Sequence, residues 1–442
     1  MDTQRIKEYD GLIIPFSKAD LMGFSIRKVQ PKLVAVIVIQ ELVTEAAAMM
    51  KELKREFKLK EHYQIPDDSE DPTTAFLKFN ECFEWMSQQL PFNKIIVDIS
   101  GGFVPLRFGI SLGAISHNLP VFYQSQKFLG TEGNQLRFED DVNKNRIVML
   151  SNPLQKVGLL DAQNAIAIFN KRSYAATSFF FQQISNRVDG AFYRHIYNGM
   201  YYLAEGYRAW DEIRYTHALH MLGKARKFLS AEFFDQSIRE TLQSLIDSID
   251  DNIKFLSSVK AEKIQFPLIF DFYQNARRRI HDEKRYDDGV ARLYRVTEMV
   301  IQYQLKQKSI DSGKVHWDKI NKSIVKSFCE RKKMISEALP PRISLFDGLI
   351  LLDCYQDGAA RQIIEELETE LLRMLGARNR SILAHGVTAV REKLAYDFDK
   401  LVFRILEIAF PGRMLDQDFL HSAIHIDLDP SVFNSVFLSR LM

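Results

Sequence analysis

At 442 residues the chain is long enough for two or three domains, and its 46% hydrophobic and 26% charged residues are typical of a soluble globular protein with an ample core. The net charge is only +2, so any contact with nucleic acid must come from local basic patches rather than from overall attraction. These values exclude a highly basic protein that binds nucleic acid through its total charge.

The cysteines and the lengths of the apolar runs indicate the cellular compartment of the protein. Cys82, Cys329 and Cys354 lie far apart, lack the spacing of metal ligands and fit a reducing cytosol, so we expect no bound metal. No signal peptide is visible, and no run reaches the roughly 18 apolar residues of a membrane span. We therefore expect a cytoplasmic protein without membrane contact.

Residues 1–155 predict an α/β domain. Short apolar runs that favour strands lie at 12–14, 33–39, 94–99, 120–123 and 147–150. Helical patterns lie between them at 41–57, from Thr73 or Thr74 to about 90, and from Pro105 to about 117. Strands that alternate with helices imply a doubly wound, mostly parallel sheet.

One turn in this domain is a candidate binding site. Asp98-Ile99-Ser100-Gly101-Gly102 closes a predicted strand, and Pro105 then opens a helix. Free backbone amides at a helix N-terminus bind anions such as phosphates, and ligands of open α/β sheets bind at the carboxyl ends of strands. A tight structural turn is the competing interpretation. The segment matches neither the Walker loop nor the G-x-G-x-x-G fingerprint, which argues against an ATPase or a dehydrogenase.

From about residue 156 the periodicity is helical. Helices are predicted at 159–169, 174–187, 192–205, 207–228, 233–255, 286–305, 361–375 and 392–410. The segment 260–267 resembles a connector, and the tail from Pro411 either adds a strand at 422–426 or covers the helices. The aromatic residues of the first helices favour packing over base stacking; they are Tyr193, Tyr197, Tyr201, Tyr202 and Trp210.

A basic run follows the connector. Arg277-Arg278-Arg279 is followed by His281, Lys284 and Arg285. A solvated helix face and a track for an RNA backbone are the two interpretations of this run.

Residues 378–386 are the candidate catalytic segment of the chain. If the helix resumes after Gly376, Arg378 and His385 are seven residues apart and share one helix face, at about 100° per residue. Cations in a last helical turn, ended by Gly386, are one interpretation. The other is RNA cleavage without a metal, because His transfers protons near neutral pH and Arg stabilises charge on a phosphate.

Two further residues belong to the catalytic interpretation. Asn379 is able to bind the same phosphate or to orient the histidine. Arg380 lies about 140° from His385 on a regular helix and is the alternative to Arg378. One histidine does not serve comfortably as both base and acid, so this interpretation requires two copies of the motif that face each other across a dimer.

Two regions together resemble a known family. Asp98-x-Ser100-Gly101-Gly102 resembles the ligand loop of CARF domains, the cyclic-oligoadenylate sensors of type III CRISPR systems, and Arg378-Asn379-x5-His385 is similar to the R-x(4–6)-H motif of HEPN ribonucleases. The helix predicted at 286–305 fits as well. The resemblance to the CARF–HEPN ancillary ribonucleases covers essentially the whole chain. It implies a Rossmann-like CARF sensor at 1–155, an all-α helical linker at 156–265 and a HEPN domain at 266–442.

The resemblance also implies a homodimer with one symmetric pocket for cyclic tetra- or hexa-adenylate as activator, and no cofactor. The residues predicted to bind this ligand lie at the ends of three strands; they are Phe16, Ser17, Lys18, Gln40, Glu41, Ser100, Gly101, Gly102 and Phe103. Many CARF loops continue Gly-Gly-x-Lys, whereas Phe103-Val104-Pro105 follow here. Arg107 and Lys18 are the candidates for the missing cation.

The implied activity is cleavage of single-stranded RNA through a 2′,3′-cyclic phosphate. His385 would act on the proton transfers, Arg378 on the charge of the phosphorane and Asn379 on positioning. Ser100 is a candidate participant if the sensor also degrades its activator. Two alternatives remain: a non-catalytic nucleotide sensor that drives a helical protein-interaction module, and a stand-alone HEPN toxin that needs no ligand.

Overall fold

The computed structural model describes residues 6–132, 135–139, 141–150, 152, 156–334, 339–383 and 386–438. The chain divides into two compact units, Met1–Lys156 and Val157–Met442. The first unit combines a β-sheet with helices, and the second is helical, as the predicted fold class requires.

A six-stranded sheet of order β3-β2-β1-β4-β5-β8 is the centre of the first unit. The strands are β1 Gly11–Pro15, β2 Leu33–Ile37, β3 Lys60–Gln64, β4 Ile95–Asp98, β5 Val121–Ser125 and β8 Arg146–Leu150. All neighbours pair in parallel except β5 and β8, which are antiparallel. The prediction of a doubly wound, mostly parallel sheet is confirmed.

Helices cover both faces of this sheet, which is why β1, β2 and β4 are fully buried and, apart from Asp98 at the end of β4, apolar. The helices are α1 Ala19–Val29, α2 Val43–Glu56, α3 Pro72–Ser87 and α4 Val104–Ser116. Side chains of α1 and α2 form one core cluster with the sheet, and side chains of α3 and α4 form another. Each helix buries one stripe of its surface in this way.

Three strands of this unit were not predicted. The sequence of β3, KEHYQ, is polar and partly exposed because β3 is an edge strand. The strands β6 Phe128–Glu132 and β7 Gln135–Phe138 form a separate antiparallel pair.

The second unit contains the following helices: α5 Leu159–Asn170, α6 Tyr174–Arg187, α7 Ala191–Asp211, α8 Tyr215–Leu229, α9 Gln236–Ser258, α10 Phe266–Arg277, α11 Tyr286–Gln307, α12 Lys322–Lys332, α13 Leu345–Cys354, α14 Gly358–Arg380, α15 Glu392–Ala409, α16 Pro411–Met414, α17 Gln417–Ser422 and α18 Pro430–Leu438. A π-helical turn, Arg278–Asp282, continues α10. The optional strand at 422–426 is not formed, since α17 ends at Ser422 and irregular backbone follows.

The structure divides the basic run, because Arg277 and His281 are partly exposed and Lys284 and Arg285 are exposed, whereas the two central arginines are not. Arg278 and Arg279 are buried, and both pair with Asp211 at the end of α7. They are therefore neither a solvated face nor an open track for RNA. The largely buried carboxylate of Asp211, together with Glu283 beside Arg279, offsets their charge, as buried ions require.

No helix within the described residues is long and apolar enough to cross a membrane.

Candidate functional site

A large cavity of the first unit lies at the carboxyl ends of its parallel strands. Its volume is about 870 Å³. It is lined by Lys18, Asp20, Leu21, Ile99, Ser100, Val104, Arg107, Phe108, Ser111, Tyr123, Gln124, Ser125, Gln126, Phe138, Val142 and Asn145. Open α/β sheets bind ligands at this edge, and the volume is in the usual range of ligand pockets, roughly 300–1,000 Å³.

A buried hydrogen-bond network fixes the floor of this cavity. The carboxylate of Asp98 accepts hydrogen bonds from the hydroxyls of Ser25 and Ser100, and from the backbone N–H of Ser100 at 2.7 Å. The backbone N–H of Gln124 donates to Ser100 Oγ, and its side chain donates to Ser25 Oγ, both at 2.8 Å. Burial raises the pKa of Asp98, although the hydrogen bonds from Ser100 and Ser25 act against this shift.

The two glycines after Ser100 are required by the backbone. A Cβ at Gly101 would overlap the carbonyl oxygen of Pro15 in β1. Gly102 has φ +78°, in the left-handed region that favours glycine. The turn thus directs the chain into α4, whose first residue, Val104, lines the cavity. The structural and the ligand-binding interpretations of the turn are therefore compatible.

The predicted ligand residues are only partly brought together. Lys18 and Ser100 line the cavity, and so does Arg107, the other candidate for the missing cation. Phe16 is 1% exposed and packs in the core, so its side chain is not available to a ligand at this edge. The others do not line the cavity as described; they are Ser17, Gln40, Glu41, Gly101, Gly102 and Phe103.

Sequence reasoning missed several residues of the lining. Tyr123 ends the predicted strand at 120–123 and Gln124 follows it, so the rule of strand ends that selected Lys18 and Ser100 would also have selected them. Phe108 and Asn145 gave no such signal, because their positions depend on how α4 and the segment before β8 pack.

The arginine motif lies at the end of α14 in the second unit. The half-buried guanidinium of Arg378 lies over the ring of Tyr294 in α11, at 4.8 Å from the ring centroid, and donates to Asn379 Oδ1 at 3.2 Å. Burial, together with a hydrogen bond to Glu298, raises the pKa of Tyr294 to about 12, so its hydroxyl stays protonated at neutral pH. Asn379 and Arg380 are exposed.

The helix does not continue to residue 385, as the spacing argument assumed. Helix α14 ends at Arg380, and Ser381 is extended, with ψ 158°. The backbone then turns back, since the N–H of Gly386 donates to the carbonyl of Ser381 and the N–H of Thr388 to that of Arg380, both at 3.1 Å. The prediction that Arg378 and His385 share a helix face was therefore wrong.

His385 itself lies outside the described residues. Both Arg378 and Arg380 thus remain candidates for the motif arginine. Among the residues that the structure describes, no group of three or more His, Cys, Asp or Glu side chains is arranged to hold a metal ion.

Comparison with protein families gives two matches in the helical unit. Residues 157–256 match a model described as the Csm6 6H domain, and residues 258–409 match one described as the Csm6 HEPN domain. The two segments are consecutive and together cover more than half of the chain. No curated protein matches the chain.

Two solved structures are similar to the chain at low identity. Csm6 of Enterococcus italicus, bound to cyclic hexa-2′-fluoro-hexa-dAMP, is 11% identical over 97% of this chain and 99% of that chain, with a TM-score of 0.49. Can2 from Sulfobacillus thermosulfidooxidans, in complex with cyclic tetra-adenylate, is 10% identical over 70% of this chain and 72% of that chain, with a TM-score of 0.24.

Proposed function

The chain belongs to the Csm6 family of type III CRISPR-associated CARF–HEPN proteins, and we propose on this basis that it is a metal-independent endoribonuclease activated by cyclic oligoadenylate. Residues 1–155 bind the activator, residues 156–265 link the two functions, and residues 266–442 cleave RNA. The observation that carries the activator half of this proposal is the 870 Å³ cavity at the carboxyl ends of the parallel strands.

The lining of that cavity fits a cyclic oligonucleotide. Lys18 and Arg107 supply positive charge for the phosphates, and the exposed ring of Phe108 supplies a surface for an adenine. Ser100 stays at the floor because its hydroxyl is held by Asp98. The activator is cyclic tetra- or hexa-adenylate, whose phosphates each carry one negative charge.

An apolar stripe on α4 supports a homodimer. Val104, Phe108 and Leu112 are exposed and follow each other at intervals of four residues, so they lie on one helix face. Two copies of α4 packed through this stripe would place two cavities beside a two-fold axis. A cyclic ligand on that axis contacts both protomers equally and is able to bias how they pack.

Cleavage uses the RNA itself as the nucleophile. The 2′-oxygen attacks the adjacent phosphorus while the 5′-oxygen of the next nucleotide leaves, which gives a 2′,3′-cyclic phosphate. His385, paired with His385 of a second copy, transfers the protons, Arg378 stabilises the phosphorane charge, and Asn379 positions the phosphate. The substrate is single-stranded, since in-line attack needs a backbone that is free to splay.

The decisive experiment incubates labelled single-stranded RNA with the protein, EDTA and each cyclic oligoadenylate in turn. We expect cleavage that depends on the activator, resists EDTA and leaves 2′,3′-cyclic phosphate ends by mass spectrometry. Intact RNA with bound activator would instead favour a non-catalytic sensor. Full activity without activator would favour a stand-alone toxin.

Two variants separate the two halves of the proposal. His385→Ala is expected to abolish cleavage and to leave oligoadenylate binding intact, whereas Arg107→Glu is expected to weaken binding of the activator. His316→Ala, at an exposed histidine of the same unit, is the control for the first variant. Cleavage that survives His385→Ala would remove the histidine from the mechanism. Gly102 is a poor test position, because its backbone conformation alone requires glycine.

A further inference from the structure

A second cavity lies inside the helical unit, and it contains none of the residues assigned to the activator site or to RNA cleavage. Its volume is about 160 Å³, and it is lined by Arg172, Gln274, Arg277, Arg278, His281, Asp282, Ile424 and His425. Three separate segments supply these residues: the turn after α5, the end of α10 with its π-helical turn, and the irregular backbone after α17.

The π-helical turn shapes one wall of this cavity. Arg278–Asp282 continues α10 with a wider spiral, and residues from both sides of the junction line the cavity. Single π-turns are rare and are frequent at functional sites. The turn is therefore an independent sign that this wall has a role beyond packing.

Three arginines reach the cavity, and only one carboxylate does. Arg172 Nε donates to that carboxylate, Asp282, at 2.9 Å, and its Nη1 lies 3.0 Å from both the carbonyl oxygen of Ile426 and Oδ1 of Asp427, which is outside the lining. Arg278 Nε donates to Asp211 at 3.2 Å, and Arg277 lies 3.5 Å from Asp399. Asp211 and Asp399 both lie outside the lining, so each of the three arginines is paired with a carboxylate but only Asp282 belongs to the cavity wall.

Three buried nitrogen atoms of lining residues have no hydrogen-bond partner among the described residues. They are Nε of Arg277, which lies 3.5 Å from Asp399 Oδ2, Nη2 of Arg278 and Nε2 of His425. The side chains of Arg278 and His425 are almost fully buried, at 6% and 2% exposure. Buried polar atoms are almost always paired, so such atoms require an explanation. All three belong to side chains that line the same small cavity, so an acceptor group bound there would explain why they lack a partner in the protein.

The protonation state of His425 indicates the sign of the electrostatic potential in the cavity. Its Nδ1 shares a hydrogen bond of 2.8 Å with the hydroxyl of Tyr174. Burial, followed by the charges of Arg278, Arg172 and Arg279, lowers its pKa well below the ordinary value. The ring is therefore neutral in a positive field, and when the Tyr174 hydroxyl donates to Nδ1, Nε2 carries a hydrogen for which the described residues supply no acceptor.

We propose that this cavity binds a phosphoryl group, either as free inorganic phosphate or as the phosphate of a mononucleotide. A tetrahedral oxyanion accepts hydrogen bonds from Arg278 Nη2 and from His425 Nε2 and pairs with the charges of Arg172 and Arg277. The space exceeds that of one water molecule, which needs only about 10–15 Å³. This proposal does not depend on the nuclease assignment.

The test uses the full chain and two probes, inorganic phosphate and adenosine 5′-monophosphate, against sodium chloride at equal ionic strength. The melting temperature and the fluorescence of Trp210, whose ring centroid lies 4.4 Å from that of His425, report binding. We expect phosphate to raise the melting temperature and to change the fluorescence where chloride does not. Tighter binding of the nucleotide than of phosphate would assign the site to a nucleotide-borne group, and the reverse order would assign it to the free ion.

Two variants with matched controls make the test specific. Arg277→Gln removes a partly exposed cation of the lining, and Ile424→Glu adds a carboxylate at an exposed position of the lining. Arg285→Gln and Leu415→Glu make the same charge changes at exposed positions outside it.

Arg277→Gln and Ile424→Glu are each expected to weaken phosphate binding at least tenfold. The controls Arg285→Gln and Leu415→Glu are expected to leave the affinity within about twofold of the wild-type value. Equal responses of the wild-type protein to phosphate and chloride would overturn the proposal and leave a cavity that holds water only. An equal loss in all four variants would also overturn it, because it would indicate general charge attraction.

Discussion

At the scale of single residues, the contact between Arg378 and Tyr294 distinguishes the two candidate arginines. A guanidinium over an aromatic face gains roughly 0.5–2 kcal/mol, depending on how far it is desolvated. Here it fixes the half-buried Arg378 at the end of α14, whereas Arg380 is exposed. A group that stabilises a transition state has to be held in place before the reaction begins. The structure thus favours Arg378, for a reason different from the spacing argument.

We predict that Arg378→Ala lowers the rate of RNA cleavage about 100- to 1,000-fold, the usual loss when one donor to a developing oxyanion is removed. Arg380→Ala is the matched variant and should cost less than about tenfold. Cleavage rates with saturating activator, together with melting temperatures to monitor folding, decide between them. A larger loss in Arg380→Ala would make Arg380 the motif arginine.

At the scale of elements, the end of α14 explains why one sequence expectation failed. Helical periodicity predicted α14 well, because its apolar stripe is long and regular. It did not predict the end of the helix at Arg380, because the turn after it depends on backbone hydrogen bonds from Gly386 and Thr388 to residues 381 and 380. Gly386 also lies so close that a Cβ would overlap the backbone of Arg380. Gly386 is thus more than a helix stop: it allows the chain to turn back.

The close approach of Gly386 gives a prediction for this element. Gly386→Ala should open the turn beside His385 and lower RNA cleavage at least tenfold, with little effect on global stability. Gly358→Ala is the control, since Gly358 is the first residue of α14, the helix that precedes this turn, and a Cβ there meets nothing within 4 Å. Cleavage rates and melting temperatures of both variants test this. Equal activity of the two variants would show that the turn has no part in cleavage.

Other elements were predictable to different degrees. The apolar strands β1, β2 and β4 were recognised because both of their faces are buried. The edge strand β3 was missed because solvent on its open side permits polar residues. The π-helical turn after α10 has no local sequence signal. The pairing of Arg278 with Asp211, which is 67 residues away, becomes visible only once the chain is folded.

At the scale of the whole molecule, the proposed function requires two copies of the chain. The sequence motifs suggested that two copies are required, but they did not indicate which surface of the protein forms the dimer contact. The structure supplies a candidate in the exposed stripe on α4, beside the cavity at the strand ends. Exposed apolar residues on one helix face are typical of surfaces that another protein covers.

We predict that Leu112→Glu shifts the protein from dimer to monomer and removes activation by cyclic oligoadenylate. Leu112 is 42% exposed and does not line the cavity. A charge at this position would have to be desolvated in the dimer. Leu77→Glu, at a 54% exposed leucine of α3, is the control. Sedimentation velocity measures the mass, and a dimer that persists in Leu112→Glu would assign the contact to another surface.

The packing of α4 on its opposite side has a mechanical consequence. A Cβ at Gly109 would overlap the carbonyl of Pro72, and a Cβ at Gly113 would overlap the ring of Phe79, so α3 and α4 touch with no slack between them. Because α4 is packed this closely on α3, it does not bend or slide independently of α3 when its first turn is displaced. A displacement of the first turn of α4 is therefore transmitted to α3, and the two helices move together as a rigid pair.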